Sequence, residues 1–325
     1  MTLRQPAPPD VNWFSVLAHH ATRTPDTPIV VFEGVVTTYA DMRARAVALA
    51  GGLAAAGVGR GDVVGLLSYN SPEFLETVFA ANYLGAAAMP VNWRLAAPEV
   101  RYILEHSEAA ALVCDGALVE VADEASHGLS LIRACVSAPA PGGWTALDDL
   151  RVPSPTPPPT QAAVVEGDDV HRLMYTSGTT GHPKGVMLTH ANLAWKNLAH
   201  LAEFGFTGTD LGLACGPLYH VGALDLTTTS LIAVGATTIL HRSFVAADVV
   251  DELERSRVTT LWLAPAMVNA ILALPDIDDR DLSSVRLVIN GGEKMPLPLI
   301  EKIQRTFPSA WFADAYGLTE TGSGD

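Results

Sequence analysis

Short apolar runs alternate with amphipathic stretches along most of this chain, and that alternation narrows its fold more than any other feature. Pro28–Phe32, Val63–Leu67, Ala86–Val91 and Ala110–Cys114 read as strands: brief, rich in Val, Ala, Ile and Leu, and bounded by Gly, Pro or polar residues. Between them lie stretches with helical spacing. Met42, Ala46, Leu49 and Leu53 recur at three- and four-residue intervals over Tyr39–Ala56, behind Thr38 as N-cap. Ser71-Pro72-Glu73 opens another helix, with proline in its first turn, and a further one runs from about Pro98 to Ser107. The pattern returns after residue 190. Helices are expected over 191–202, 221–234, 247–256, 267–274 and 298–306, and strands at 236–240, 260–264, 285–290 and near 310–313. Strand–helix–strand repetition builds a parallel sheet covered by helices, so the expected class is α/β. The proline-rich stretch between Ala138 and Thr160 has no periodicity and reads as a surface loop.

A chain of 325 residues can hold one large or two ordinary domains, and an apolar content of 49% excludes a disordered one. The net charge of −15 argues against a general nucleic-acid or anionic-membrane binder. It leaves nucleotides open, because a small cluster of donors suffices for them. Cys114, Cys135 and Cys215 are few and widely spaced, with neither zinc spacing nor a disulfide framework, and Cys114 and Cys215 sit in apolar runs as core residues. The first residues lack the apolar core of a signal peptide, and no apolar run reaches about 18 residues. A cytoplasmic protein without integral membrane association is the expectation.

One segment carries chemistry more sharply than the rest. Tyr175-Thr-Ser-Gly-Thr-Thr-Gly-His-Pro-Lys-Gly185 combines glycines, hydroxyls and one lysine between apolar flanks. Bare backbone N–H groups, hydroxyls and one cation form a cradle for a polyphosphate. It is not a Walker A loop, since Pro183 precedes Lys184 and Gly185 follows it. Three further segments follow in order: Pro217-Leu-Tyr-His-Val-Gly-Ala-Leu224, Asn290-Gly-Gly-Glu-Lys-Met-Pro296 and Asp314-Ala-Tyr-Gly-Leu-Thr-Glu-Thr-Gly322.

These four segments, in this order, resemble the motifs of the adenylate-forming (AMP-binding) superfamily, which includes acyl-CoA synthetases, firefly luciferase and peptide-synthetase adenylation domains. The resemblance runs from about Trp13 to Asp325. It implies ATP-dependent activation of a carboxylic acid as acyl-adenylate, with release of pyrophosphate, then transfer to CoA. Thr176, Ser177, Gly178, Thr179, Thr180, Gly181 and Lys184 would hold the outer phosphates. Thr319 would bond the α-phosphate, and Glu320, with Thr180, would hold Mg2+. Adenine would lie between Gly291-Gly292-Glu293 and Tyr316, with Asp314 and Gly317 beside it. A plain strand-to-helix turn at 291–292 and a core tyrosine at 316 are the bland alternatives. His220 would stand near the reacting carboxylate, and the acid pocket would be lined by Gly222, Asp225, Leu226, Met267, Asn290, Gly317 and Leu318. Positions 222, 225, 226 and 229 share one face of a regular helix. On that phase Asp225 would face the acid and read a polar or cationic group, or else turn away to a neighbour.

The implied fold is the large N-terminal domain of the superfamily: two helix-covered, mostly parallel sheets packed together, without most of the barrel and the C-terminal domain. Residues 56–205 would form one sheet and residues 10–55 plus 206–325 the other. The chain stops three residues after the last motif, before the family's ribose-binding Asp and C-terminal Lys, so the expectation is a truncated domain with little or no activity of its own. An acceptor other than CoA, such as a carrier protein or an amine, and a silent nucleotide-binding fragment are the alternatives. The partners implied are a small-molecule carboxylic acid, ATP and CoA, with no nucleic acid; a homodimer is left open.

Overall fold

The computed structural model describes residues 12–136, 139–152, 160–176, 181–293 and 295–322. The strands are β1 (Pro28–Phe32) and β2 (Val35–Thr38); then β3 (Val63–Leu67), β4 (Ala87–Pro90), β5 (Ala111–Cys114), β6 (Ile132–Cys135), β7 (Thr145–Ala146), β8 (Val170–Thr176) and β9 (Lys184–Thr189); then β10 (Leu211–Ala214), β11 (Thr237–Leu240), β12 (Thr260–Leu263), β13 (Leu287–Gly291) and β14 (Trp311–Ala315). They form two sheets. One has the order β7-β6-β5-β3-β4-β8-β9 and the other β14-β13-β12-β10-β11-β1-β2. Neighbours are parallel except for β8–β9 in the first and β1–β2 in the second. This is the expected α/β class, with apolar strands buried beneath helices, as in β3 and β12, where every residue is buried.

The chain divides into two compact units. The first contains the described residues of 1–23, 40–68 and 73–195; the second contains those of 24–39, 69–72 and 196–325. β1 and β2 belong to the same sheet as β10–β14. The expected assignment of all of 10–55 to the second unit is corrected by the helices Trp13–Arg23 and Tyr39–Ala55, which lie almost wholly in the first unit. The reason is packing against helix Pro72–Leu84. Trp13 stacks on Phe79 with ring centroids 6.0 Å apart, and Phe14 meets Tyr83 edge-on at 4.8 Å. Arg45 binds Glu73 and Glu76 of the same helix. Gly52 is needed where Tyr39–Ala55 passes the short helix Leu147–Leu150, because a Cβ there would lie 1.9 Å from the Leu150 carbonyl oxygen.

Two local expectations also change. The proline-rich stretch contains β7 and the helix Leu147–Leu150, so it is only partly loop; residues 153–159 lie outside the described ones. The single helix expected over 221–234 is interrupted. An α-turn at Val221–Ala223 passes into a π-turn at Leu224–Thr228 and returns to α-helix at Thr229–Ala233. The Thr229 N–H reaches back five residues to the Leu224 carbonyl, and the Thr228 hydroxyl donates to Ala223 O at 2.8 Å. All three cysteines are buried free thiols, and burial raises the pKa of Cys114 and Cys215. No helix among the described residues is long and apolar enough to cross a membrane.

Candidate active site

In the second unit the sequence-predicted residues collect at the carboxyl ends of adjacent parallel strands. β14, β13, β12 and β10 are consecutive in the sheet. β10 runs out towards His220, β12 towards Met267, β13 into Gly292-Glu293, and β14 into Tyr316-Gly317-Leu318-Thr319-Glu320. In open parallel sheets the crevice beyond the strands' carboxyl ends is where ligands bind. Asn290 pairs in register with Asp314, and Gly291 with Ala315. A Cβ on Gly291 would lie 2.7 Å from Ala315 O, and Gly292 has φ +96°, so both glycines are required by the backbone. Glu293 is exposed beside them. Asn290 is fully buried; its Nδ2 donates to Leu263 O at 2.9 Å, while Oδ1 has no partner among the described residues.

Tyr316 is 71% exposed, which excludes a core tyrosine. Thr319–Thr321 form a single 3-10 turn. The Thr321 hydroxyl accepts from Leu318 N and donates to Leu318 O, each at 3.0 Å, and Gly322 ends the turn at φ +72°. Glu320 is thus presented to solvent on a closed turn. No group of three His, Cys, Asp or Glu among the described residues could hold a metal. Mg2+ keeps several waters and needs only one or two carboxylates beside phosphate oxygens, and Glu320 is an exposed carboxylate of that kind.

His220 caps the helix that begins at Val221. Its Nδ1 accepts from Gly222 N at 3.0 Å, which leaves the proton on Nε2, and its ring stacks on Trp262 with centroids 6.1 Å apart. Although His220 is exposed, desolvation by its neighbours lowers its pKa against the opposing pull of Asp225. At neutral pH it is a neutral imidazole offering an N–H donor. The space at Gly222, expected to line the acid pocket, is taken by Trp262: a Cβ on Gly222 would lie 2.4 Å from the indole Cζ2, and one on Gly216 2.7 Å from Cζ3. Gly222→Ala is therefore expected to cost stability at the upper end of the roughly 1–3 kcal/mol typical of overpacking, and Trp262→Leu in the same chain to recover most of it. Urea midpoints of the two variants check this; an unchanged midpoint for Gly222→Ala would show that the indole does not depend on the glycine.

Asp225 does not behave as the regular helical phase suggested. It is fully buried, with its Oδ1 3.6 Å from the Nζ of Lys196, which matches the alternative in which it turns to a neighbour rather than reading the acid. The π-turn is the cause. An i→i+5 turn breaks the phase that would place 222, 225, 226 and 229 on one face. Leu226 and Met267 are buried nearby in the chain's apolar core, at 3% and 9% exposure.

In the first unit, β8 and β9 form the arms of the expected phosphate loop, with Thr176 opposite Lys184 and Tyr175 opposite Gly185. Ser177, Gly178, Thr179 and Thr180 lie outside the described residues. Gly181, at φ +109°, and the Lys184 side chain are exposed. Helix Ala97–His106 holds both arms: His106 Nδ1 and the Tyr175 hydroxyl are 2.7 Å apart, and Tyr102 stacks on His182 at 5.1 Å. Sequence reasoning did not single out Trp262 or Lys196. The signal for Lys196 was available. Leu193, Lys196, Asn197 and His200 share one helical face, so a lysine stood on a buried stripe.

A family model described as AMP-binding enzyme matches residues 17–324. A feruloyl-CoA synthase from an Amycolatopsis species is 37% identical over 305 residues, covering 94% of this chain and 58% of its own length. The anthranilate CoA ligase AuaEII, solved with anthranoyl-AMP, superposes with a TM-score of 0.90 at 26% identity over 97% of this chain and 61% of its own. The inhibitor-bound N-terminal domain of FACL13 from Mycobacterium tuberculosis gives 0.84 at 32% identity, covering 96% and 77%. The chain thus spans less than two thirds of the curated relative's length.

Proposed function

Because this chain belongs to the AMP-binding enzyme family, we propose that it is the nucleotide- and acid-binding part of an ATP-dependent acid–thiol ligase that makes CoA thioesters. The observation that carries the reading is the convergence of the Gly291-Gly292 turn, the Tyr316–Glu320 segment and the approach to His220 at the carboxyl edge of four consecutive strands. In the first step a carboxylate oxygen of the acid attacks the α-phosphorus of ATP. The bond to pyrophosphate breaks, and acyl-AMP forms. In the second, the CoA thiol loses its proton to solvent, its sulfur attacks the acyl carbonyl, and the bond to the AMP oxygen breaks to release AMP. Both steps call for positioning and charge stabilisation rather than a protein nucleophile.

The residues divide these tasks. Gly291 and Gly292 let the flat adenine approach the backbone, and the exposed Tyr316 ring offers the opposite face. Thr319 donates to the α-phosphate. Lys184, with the 176–181 loop, offsets charge on the outer phosphates. Glu320 would hold Mg2+, which when bound neutralises phosphate charge. His220 turns its Nε2–H donor towards the acid's carboxylate. The names of the relatives, a feruloyl-CoA synthase and an anthranilate CoA ligase, support an aryl acid as substrate.

The test is nucleotide binding to this chain by calorimetry. ATP and AMP are both expected to bind. Lys184→Ala removes a charge-assisted contact to phosphates that AMP lacks, so it should weaken ATP by roughly 10- to 100-fold and leave AMP within about twofold. Absence of any nucleotide binding at millimolar concentration would refute the function. An equal loss for ATP and AMP would remove Lys184 from the outer phosphates.

A further inference from the structure

Lys196 is 8% exposed near the middle of helix His190–Phe204. Burying an ammonium is expensive unless it is held on several sides. Its Nζ donates to the Asp225 carbonyl at 2.7 Å and to the Thr229 hydroxyl at 2.6 Å, and it lies 3.6 Å from the Asp225 carboxylate. Asp225 lies within the π-turn and Thr229 directly after it. The Thr229 hydroxyl also reaches Asn197 Oδ1 at 3.1 Å, so the same helix grips the turn at two adjacent positions. On its other side the lysine stem borders the nucleotide motif: a Cβ built on Gly322 would lie 3.9 Å from Lys196 Cγ. Gly322 closes the turn that presents Thr319 and Glu320. One buried side chain therefore lies beside the residue that caps that turn and holds the irregular turn that follows His220.

We propose that Lys196 is a positioning residue that locks the π-turn behind His220 against the Thr319–Gly322 turn, so that the acid-side helix and the nucleotide motif are held as one body. The proposal rests on the function read above and deepens it. The π-turn is the element under control. Its extra residue disturbs the regular hydrogen-bond ladder, and the Asp225 carbonyl takes the ammonium and the hydroxyls of Thr229 and Ser230, the latter at 3.4 Å. A methionine could fill the same channel without the desolvation cost. What only the ammonium supplies is a directional grip on the π-turn. Without it the turn can relax towards regular helix, which shifts His220 at one end and frees Gly322 at the other.

AMP affinity measured by calorimetry well below the melting temperature tests this, because Lys196 touches no nucleotide in the proposed site. The variant Lys196→Met with Asp225→Asn removes the charge pair without stranding a carboxylate. It is expected to weaken AMP by roughly tenfold, the equivalent of one charge-assisted hydrogen bond. Thr229→Val, nearly isosteric, removes one of these contacts and should weaken AMP by about threefold. Val250→Ala, in the core of helix Ala246–Ser256, lowers the melting temperature elsewhere in the same unit and should leave AMP affinity unchanged. AMP affinity within about twofold of wild type in the double variant would reduce Lys196 to a fold element and overturn the proposal. Should the double variant not fold, an unchanged affinity in Thr229→Val overturns it equally. Tyr316→Ala separates the two claims: if it leaves AMP binding intact, the nucleotide-site reading fails, whatever Lys196 does.

Discussion

Glu76→Ala is expected to destabilise the chain by about 3 kcal/mol, the low end of the roughly 3–5 kcal/mol lost when one partner of a buried ion pair is removed. The Glu76 side chain is wholly buried in helix Pro72–Leu84. Arg151 clasps it in a two-point fork, Nε to Oε1 at 2.7 Å and Nη2 to Oε2 at 2.6 Å. Arg45 Nε donates to Oε2 at 2.9 Å while its Nη2 reaches Glu73 at 2.7 Å. Three helices of the first unit, Tyr39–Ala55, Pro72–Leu84 and Leu147–Leu150 with its C-cap, meet on this one carboxylate. Both arginine side chains keep 19–29% of their surface in water, so they can be partly solvated once the carboxylate is gone, which holds the cost at the lower bound. Glu76→Gln keeps shape and some hydrogen bonds and should recover part of the loss. Urea unfolding of the three proteins at pH 7 checks this. Midpoints for Glu76→Ala equal to wild type would mean that the two arginines hold the helices without it.

The sheet elements were legible because each buried strand is a continuous apolar run and each covering helix repeats at 3.6 residues; β1, β3, β5 and helix Pro72–Leu84 lie where those patterns put them. The motif segments were legible for a different reason: backbone constraints write themselves into composition, as at Gly291 and Gly292. What was not legible depends on partners distant in sequence. The helix Trp13–Arg23 is short, and what fixes it is packing of Trp13 and Phe14 on residues more than sixty positions away. The antiparallel turn-back of β9 on β8 has no alternating pattern, since Val186, Met187 and Leu188 are consecutively apolar. The π-turn follows no sequence periodicity at all, so a helical wheel could not decide between the two readings of Asp225, facing the acid or turning to a neighbour. Its true partner, Lys196, stood on the buried stripe of its own helix, and a cation there is a cue to look for an anion elsewhere.

The same buried stripe makes stability pH-dependent in a defined window. His200 is 6% exposed, packs on Phe204 with centroids 5.4 Å apart, and has Nδ1 3.3 Å from the Ser230 hydroxyl. Desolvation first, and the Lys196 ammonium second, push its pKa down from 6.5 to about 4, with Asp225 offsetting part of the effect. The folded chain therefore keeps His200 neutral where the unfolded chain protonates it. Below pH 6.5 the unfolded state binds the extra proton, so stability falls with acidification and stops falling, for this group, once pH passes the folded value near 4. The full contribution, present above pH 6.5, is about 3 kcal/mol, at about 1.4 kcal/mol for each pH step of one. His200→Gln removes the titrating group and retains a polar contact for Ser230. Its unfolding free energy, measured in urea between pH 7.5 and 4.5, should decline by about 2–3 kcal/mol less than wild type over that range. Other acidic groups titrate in both proteins and cancel in the difference. Equal declines for the two proteins would show that His200 takes up its proton without unfolding, and would place the acid sensitivity of this unit in its carboxylates instead.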